Sequence, residues 1–328
     1  MSVICFSSLK GGVGKTSLSM NIAHAFSLRG CRTLVIDLDS AAHATRLLLK
    51  RSTVENYDDK FCHLAKLFLG SFENDLSFIE RIESSSEKLL IEVRKNIDLF
   101  ASGEEIRHFL WGKGSREFSI SFKKLLSELQ SVYDYIIIDT PPDFNVLTRN
   151  AIAIADLVVV PVDSSEMSIH CLEKIISYTD HINGPVWAIA RTLVTKSASK
   201  IQSLSNARLE QNLDLETSDI QTKDYESLDD PQNFISYISD TIDSNSTATS
   251  DKPIYLLNNV VYRTEKQNKL SFQAYTSFDT KGTLALATQY SNVAKEIEEL
   301  ITLAEEQEYL DNNAFVDYVP QMREAASQ

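Results

Sequence analysis

The first 195 residues alternate between two hydrophobic periods. Short apolar runs with few or no charges predict buried strands near 2–7, 33–38, 97–100, 135–139, 157–161 and 186–192. Stretches with helical spacing lie between them, the first from about Lys15 to Gly30 and a later one over 116–132. Strands that alternate with helices predict an α/β fold with a mostly parallel twisted sheet flanked by helices in three layers.

The remaining segments complete one expected domain over residues 1–328. Residues 52–95 have a mixed amphipathic pattern that predicts extra helices, and 254–258 and 284–309 predict a last strand and a long helix. The stretch at about 205–252 is rich in Ser, Asp, Asn and Thr, a composition that favours a mobile polar insertion. A partner-binding site is the alternative interpretation of this insertion.

Charge is concentrated in two segments. The chain of 328 residues carries a net charge of −14. Residues 205–252 hold eleven acids and three bases, and the acidic helix and tail at about 296–328 hold nine acids and one base. Each segment therefore contributes −8, and the rest of the chain is near neutral at +2. Because the acidic charge is confined to these two segments, the net charge of −14 is weaker evidence against nucleic-acid binding than its size suggests.

The cysteines and the apolar runs favour a cytoplasmic protein. The four cysteines lie at 5, 31, 62 and 171, without the paired spacing that iron–sulfur carriers need. Scattered thiols suit a reducing compartment. No apolar run approaches the roughly 20 residues that span a bilayer, and the chain enters a strand at once, so we expect no signal peptide and no membrane association.

A glycine-rich loop joins the first strand to the first helix. Its sequence runs Lys10-Gly11-Gly12-Val13-Gly14-Lys15-Thr16. Glycines let the backbone wrap closely around phosphate oxygens, and a helix N-terminus favours an anion. We expect Lys15 to reach the β- and γ-phosphates and the Thr16 hydroxyl to bind Mg²⁺, so the loop predicts a nucleoside triphosphate site.

Three carboxylates are placed to serve such a site. Asp139 ends an apolar strand, so its side chain should emerge at the carboxyl edge of the sheet, where ligands bind in open α/β folds. Asp37 and Asp39 are two residues apart at another strand end and should share a face. The alternative for either of these two is that it only caps the following helix.

These motifs resemble the ParA/MinD family of P-loop ATPases, with its deviant Walker A loop. Four segments carry the resemblance in the family's order: Lys10–Thr16, Thr33–Ser40, Tyr133–Pro142 with its continuation to Ala151, and Ala155–Val162 followed by Glu166. The Thr-Pro-Pro at 140–142 and the Leu-Thr-Arg-Asn-Ala at 147–151 resemble the ParA/Soj branch more than MinD.

The resemblance implies roles for individual residues. Residues Lys10, Gly11, Gly12, Val13, Gly14, Lys15, Thr16 and Ser17 would bind ATP. Asp139 would hold Mg²⁺ through water, Asp39 would orient the attacking water, and Asp37 would support the metal shell with Thr16. Lys10 would cross a dimer interface to the partner's nucleotide, acting in catalysis with Lys15 and Asp39. A solvated loop lysine is the alternative for Lys10.

The resemblance also implies partners. It predicts a homodimer in the ATP state, non-specific DNA binding, and release by a ParB-like or other activating protein, with association to the nucleoid. The candidate DNA contacts are Arg191, Arg263, Lys266 and Lys269, for which a solvated charged face is the alternative. A regulatory ATPase of the same fold that acts through proteins rather than DNA is the second hypothesis, favoured by the acidic segments. Lys10 argues against a third, a metabolic P-loop ligase.

Overall fold

The structure is a computed structural model. It describes residues 1–49, 62–70, 76–85, 88–179, 182, 185–194, 254–262, 276–279 and 283–308. Within these residues there are nine strands: β1 Ser2–Phe6, β2 Thr33–Asp37, β3 Ile91–Arg94, β4 Ile97–Phe100, β5 Tyr135–Asp139, β6 Leu157–Val162, β7 Val186–Val194, β8 Ile254–Leu256 and β9 Val261–Tyr262. The predicted insertion at about 205–252 and most of the predicted tail lie outside the described residues.

The described helices connect these strands. They are α1 Lys15–Leu28, α2 His43–Leu48, α3 His63–Leu69, α4 Phe78–Ser84, α5 Gly112–Leu129, α6 Val146–Ile154, α7 Glu166–Tyr178 and α8 Leu284–Glu308, with a 3-10 helix at Glu104–Phe109. Within the described residues, no helix combines the length and the hydropathy that crossing a bilayer requires.

The strands form one sheet in the order β3-β4-β2-β5-β1-β6-β7-β8, and β9 also pairs with β7. All described pairings are parallel except that of β3 with β4. In the register of the central strands, Asp139 lies beside Phe6 on one side and beside Asp37 on the other. The carboxyl ends of β1, β2 and β5 therefore meet at one edge, where the predicted site residues converge.

Both faces of the sheet are covered. Successive residues of β5 point to opposite faces, so Ile137 joins one core while Ile136 and Ile138 join the other. The core that contains Ile137 includes apolar side chains of α1 and α8, and the core on the opposite face includes those of α5, α6 and α7. This three-layer arrangement confirms the predicted α/β fold.

The predicted elements are found with two differences. The helix predicted over 116–132 spans Gly112–Leu129, so it begins and ends a few residues earlier, and Trp111 before it has an extended backbone. The segment 52–95, predicted as helical, ends in strand β3, which pairs antiparallel with β4 across a short turn. Asn96 closes this turn with a left-handed φ of 63°, a conformation that asparagine tolerates better than most residues.

Candidate nucleotide-binding site

The glycine-rich loop leaves β1 at Phe6 and enters α1 at Lys15. Gly12 and Gly14 have φ values of 81° and 84°, in the left-handed region where a side chain would be strained. A Cβ added at Gly11 or Gly12 would meet no atom within 4 Å, so this side of the loop is open. Gly14 is the N-cap of α1, so an open stretch of glycine backbone leads directly into a helix N-terminus, an arrangement suited to phosphate.

Asp139 is the buried centre of the site. Lys15 Nζ lies 3.1 Å from its Oδ1 and also donates to the Thr140 carbonyl. The hydroxyl of Thr16 donates to Asp139 Oδ2 at 2.8 Å, and that of Ser19 donates to Oδ1 at 3.0 Å. Three side chains of α1 thus converge on one carboxylate at the end of β5, which fixes the start of α1 to the sheet edge.

The residues around Asp139 fit Mg²⁺ and a triphosphate. The Thr16 hydroxyl and the Asp139 carboxylate offer oxygen ligands, which Mg²⁺ prefers, and they lie within hydrogen-bonding distance of each other. Thr16 and Asp139 are therefore the residues that would hold the ion. Ser17, also predicted to bind nucleotide, is the third residue of α1 and is half-buried.

Asp37 is occupied by protein hydrogen bonds. Its Oδ1 accepts from the Asp39 N–H at 3.0 Å, and its Oδ2 accepts from the Thr45 N–H and hydroxyl at 2.9 and 2.8 Å. Burial, and then the nearby Asp139 carboxylate, raise the pKa of Asp37 to about 7. Because Thr45 is in the first turn of α2, these contacts correspond to the helix-capping alternative, and support of a metal shell stays a prediction.

Asp39 lies just beyond β2 and faces the same edge. Its Oδ1 accepts from the Ala41 N–H at 2.9 Å, which shapes the turn into α2. Burial, and to a smaller extent the Asp39 charge, raise the pKa of Asp143. The carboxylates of Asp39 and Asp143, from different loops, therefore lie near each other at this edge. The role of Asp39 in orienting water stays a prediction.

Lys10 is held within its own chain. Its Nζ lies 2.7 and 2.6 Å from the two carboxylate oxygens of Asp163 and 2.6 Å from the Ser165 hydroxyl. Burial alone would raise the pKa of Asp163, but hydrogen bonds from Lys10 and Ser165 outweigh it and lower that pKa. The ammonium of Lys10 is therefore paired, unlike the solvated lysine of the alternative interpretation.

Several site residues were missed by the sequence analysis. They are Ser19 on Asp139, Thr45 on Asp37, Asp163 and Ser165 on Lys10, and Thr192, which contacts the loop backbone. A signal existed for Asp163 and Ser165, because they directly follow a buried parallel strand whose carboxyl end must lie at the site edge.

The structure places one of the four candidate DNA contacts. Arg191 lies within β7, is 9% exposed, and donates from Nη2 to the Asn258 carbonyl at 3.1 Å. Its guanidinium thus contacts a carbonyl of the protein itself in this structure, and the DNA contact of Arg191 stays a prediction. Arg263, Lys266 and Lys269 lie outside the described residues.

Comparisons with known proteins agree with this geometry. A family model described as an AAA domain matches residues 1–186, more than half of the chain. The chain belongs to the ParA/MinD family of P-loop ATPases. The prediction made from the motifs is thereby confirmed, and the matching relatives place the chain close to the ParA/Soj branch.

Two relatives within the ParA/MinD family illustrate this. Chromosome partitioning protein ParA from Myxococcus xanthus is 31% identical over 174 residues, which cover 53% of this chain and 56% of that protein. Sporulation initiation inhibitor protein Soj from Bacillus subtilis is 32% identical over 175 residues, 53% of this chain and 63% of Soj. The chain thus matches less than two thirds of the length of either relative.

A solved structure of the ParA/MinD fold extends over most of the chain. The ATP complex of an McdA variant from Cyanothece has a TM-score of 0.58 and 16% identity, and the match covers 91% of this chain and 96% of that one. At this identity the similarity shows the fold.

Proposed function

We propose that this chain is an ATP-dependent dimerising switch of the ParA type that partitions DNA or positions cargo. The observation that carries the proposal is the convergence of Lys10, Lys15, Thr16 and Asp139 at one edge of the sheet. Membership of a family of partitioning ATPases, and the printed name of the M. xanthus relative, support DNA partitioning as the process.

ATP hydrolysis at this site needs positioning and charge neutralisation more than covalent chemistry. Lys15 and the N-terminus of α1 would neutralise the phosphates, and Thr16 and Asp139 would hold Mg²⁺, which supplies further positive charge. Asp39 would orient the attacking water. With no activating partner the turnover should be slow, because this chain's own Lys10 is bound to Asp163 rather than directed at a second subunit.

Lys10 is the residue that should make hydrolysis depend on dimerisation. If it completes the partner's site, Lys10→Ala should retain ATP binding but lose ATP-dependent dimers and turnover. Light scattering and a phosphate-release assay measure both effects. Lys174→Ala, an exposed lysine on α7, is the control and should behave as wild type. Full dimer formation by the Lys10→Ala protein would overturn the proposed role.

Asp39 should act after dimerisation. Asp39→Ala should bind ATP and accumulate as a dimer, because the subunits remain joined while the nucleotide is not hydrolysed. Size-exclusion chromatography with ATP tests this. Unchanged ATP turnover in the variant would show that Asp39 does not orient the water.

DNA binding distinguishes the two candidate functions. A partitioning ATPase should shift non-specific duplex DNA with ATP but not with ADP, and the shift should weaken as salt rises. The acidic segments at 205–252 and 296–328, each with a charge of −8, favour the alternative, a regulatory ATPase that acts through protein partners. No shift even at about 50 mM salt would support that alternative.

A further inference from the structure

The end of β7 has an irregular backbone beside the phosphate loop. The pairing of β7 with β9 shifts register between Thr192 and Val194, as in a β-bulge. The residue between them, Leu193, has a φ of 57°, an uncommon conformation for a leucine. Bulges redirect side chains and often lie next to active sites. This one turns two consecutive side chains of β7 towards the loop.

Both side chains lie beside the same part of the loop. The Thr192 hydroxyl is buried and donates to the Val13 carbonyl at 2.6 Å, with only a marginal 3.5 Å contact to the Val162 carbonyl. Leu193 side-chain carbons lie 3.8 Å from the position that a Cβ on Gly14 would occupy. Thr192 and Leu193 therefore support the Val13–Gly14 peptide on the side that faces β7.

Because a peptide group is planar, fixing the Val13 carbonyl also fixes the direction of the Gly14 N–H. The chain has no cis peptide bonds among its described residues, and in a planar trans peptide the C=O and the next N–H point in opposite directions. A hydroxyl that fixes the Val13 carbonyl towards β7 must therefore direct the Gly14 N–H away from β7. Gly14 is the N-cap of α1, where backbone N–H groups bind anions.

We propose that Thr192 is a positioning residue for the nucleotide, whose hydroxyl orients the Val13–Gly14 peptide so that the Gly14 N–H is directed towards the phosphates. This inference rests on the proposed ATP binding and adds a residue from a strand far from the loop in sequence. The left-handed Gly14 has a flexible backbone, and the Thr192 hydrogen bond removes that freedom before nucleotide binds.

The test uses three variants of the full chain and two fluorescent nucleotides. Thr192→Val removes the hydroxyl at nearly constant shape, and Thr192→Ser restores a hydroxyl on a smaller side chain. Thr179→Val is the matched control, because the Thr179 hydroxyl is also buried and donates to a carbonyl, that of Ile175, at the end of α7. Affinities for MANT-ATP and MANT-ADP are measured by titration, and stability by urea unfolding.

The expected result is a loss of affinity specific to one hydroxyl. Thr192→Val should bind both nucleotides about five- to tenfold more weakly, the effect of one lost hydrogen bond, whereas Thr192→Ser and Thr179→Val should stay within about twofold of wild type. Wild-type affinity in Thr192→Val, or an equal loss in Thr179→Val, would overturn the inference. If Thr192→Val does not fold, Thr192→Cys, with a weak donor of similar size, replaces it.

The outcome also separates this inference from the proposed function. Absence of nucleotide binding by the wild-type protein would overturn both. Tight wild-type binding with no difference between Thr192→Val and wild type would overturn only the role of Thr192.

Discussion

Two lysines of one loop pair with carboxylates at the carboxyl ends of different strands. Lys15 binds Asp139 at the end of β5, and Lys10 binds Asp163 just after β6. The first pair is buried, with side-chain exposures of 8% and 0%, and the second is more open, at 22% and 21%. Water and salt screen the second pair more, so Lys10 can leave Asp163 at a lower cost than Lys15 can leave Asp139.

Asp163→Asn should therefore make Lys10 available for dimerisation. The amide keeps the size of the carboxylate but loses its charge, and such a partly exposed ion pair contributes about 1 kcal/mol or less. We expect the ATP concentration that gives half-maximal dimerisation to fall by up to about fivefold, measured by light scattering. Glu173→Gln, on the following helix α7, is the control. An unchanged or higher half-point would show that Asp163 does not restrain Lys10.

Single residues were predictable from sequence where a local motif fixes their chemistry. Lys15, Thr16 and Asp139 follow from a glycine loop and from a carboxylate at the end of an apolar strand. Asp163 and Thr192 were not predicted as partners of the loop, because each lies more than 150 residues away along the chain. Only the parallel register of the sheet brings them to the same edge.

Strands and helices were predictable from the sequence where burial imposes one clear hydrophobic pattern. The central strands are buried on both faces and read as continuous apolar runs, whereas β3 at the sheet edge is only partly buried and alternates in Ile91-Glu92-Val93-Arg94. That alternation indicated a strand, but the surrounding amphipathic residues favoured helix. The position of helix α3 depends on a hydrogen bond between His63 and the backbone of Ala101. These residues are far apart along the chain, so no local sequence pattern predicts it.

The contact that places α3 should be sensitive to pH. His63 Nδ1 accepts from the Ala101 N–H at 3.1 Å, and burial lowers the pKa of His63 from 6.5 to about 4. Between these values the unfolded chain binds the proton more strongly, so stability is full above pH 6.5 and falls as the pH drops towards 4. His63 should account for roughly 2–3 kcal/mol of this loss between pH 7.5 and 4.5.

His63→Asn tests this origin of acid sensitivity. Asparagine keeps an acceptor in a similar position but does not titrate, so urea unfolding should show a smaller decrease in stability between pH 7.5 and 4.5. His170→Asn, at an exposed position on α7, is the control. Identical pH slopes for wild type and His63→Asn would show that this histidine does not contribute.

Helix α6 should depend on its N-cap. The Asn145 side chain accepts from the N–H groups of Leu147 and Thr148 at 2.8 and 3.1 Å. Asn145→Ala should lower the free energy of unfolding by about 1 kcal/mol, whereas Asn145→Ser, which keeps an acceptor at the N-cap without adding a charge next to Asp143, should lose little. Equal losses in thermal or urea unfolding would contradict a capping role.

At the scale of the whole molecule, distant parts of the chain meet at the helix that follows the phosphate loop. The Asn21 Oδ1 on α1 accepts from the Ser277 N–H and hydroxyl at 2.8 and 2.5 Å. His24, one turn later, contacts the Thr276 hydroxyl at 2.5 Å. Apolar residues of α8 pack in the same core as α1. The C-terminal part of the described chain is thus joined to the nucleotide site through α1.

This connection predicts that the described elements unfold as one unit with the nucleotide site. Ile297 of α8 is fully buried, so Ile297→Ala should cost about 2–5 kcal/mol, while Leu284→Ala, at 74% exposure, should change stability by about 0.5 kcal/mol or less. ATP with Mg²⁺ at 100 times its Kd should stabilise wild type and both variants alike, by about 2.7 kcal/mol.

Urea unfolding with and without ATP, followed by circular dichroism, measures these effects. A single transition that ATP shifts as a whole would support the predicted single domain, because a ligand stabilises only the elements that unfold together with its site. Two transitions, of which ATP shifts one and Ile297→Ala the other, would instead show that α8 belongs to a unit separate from the phosphate loop.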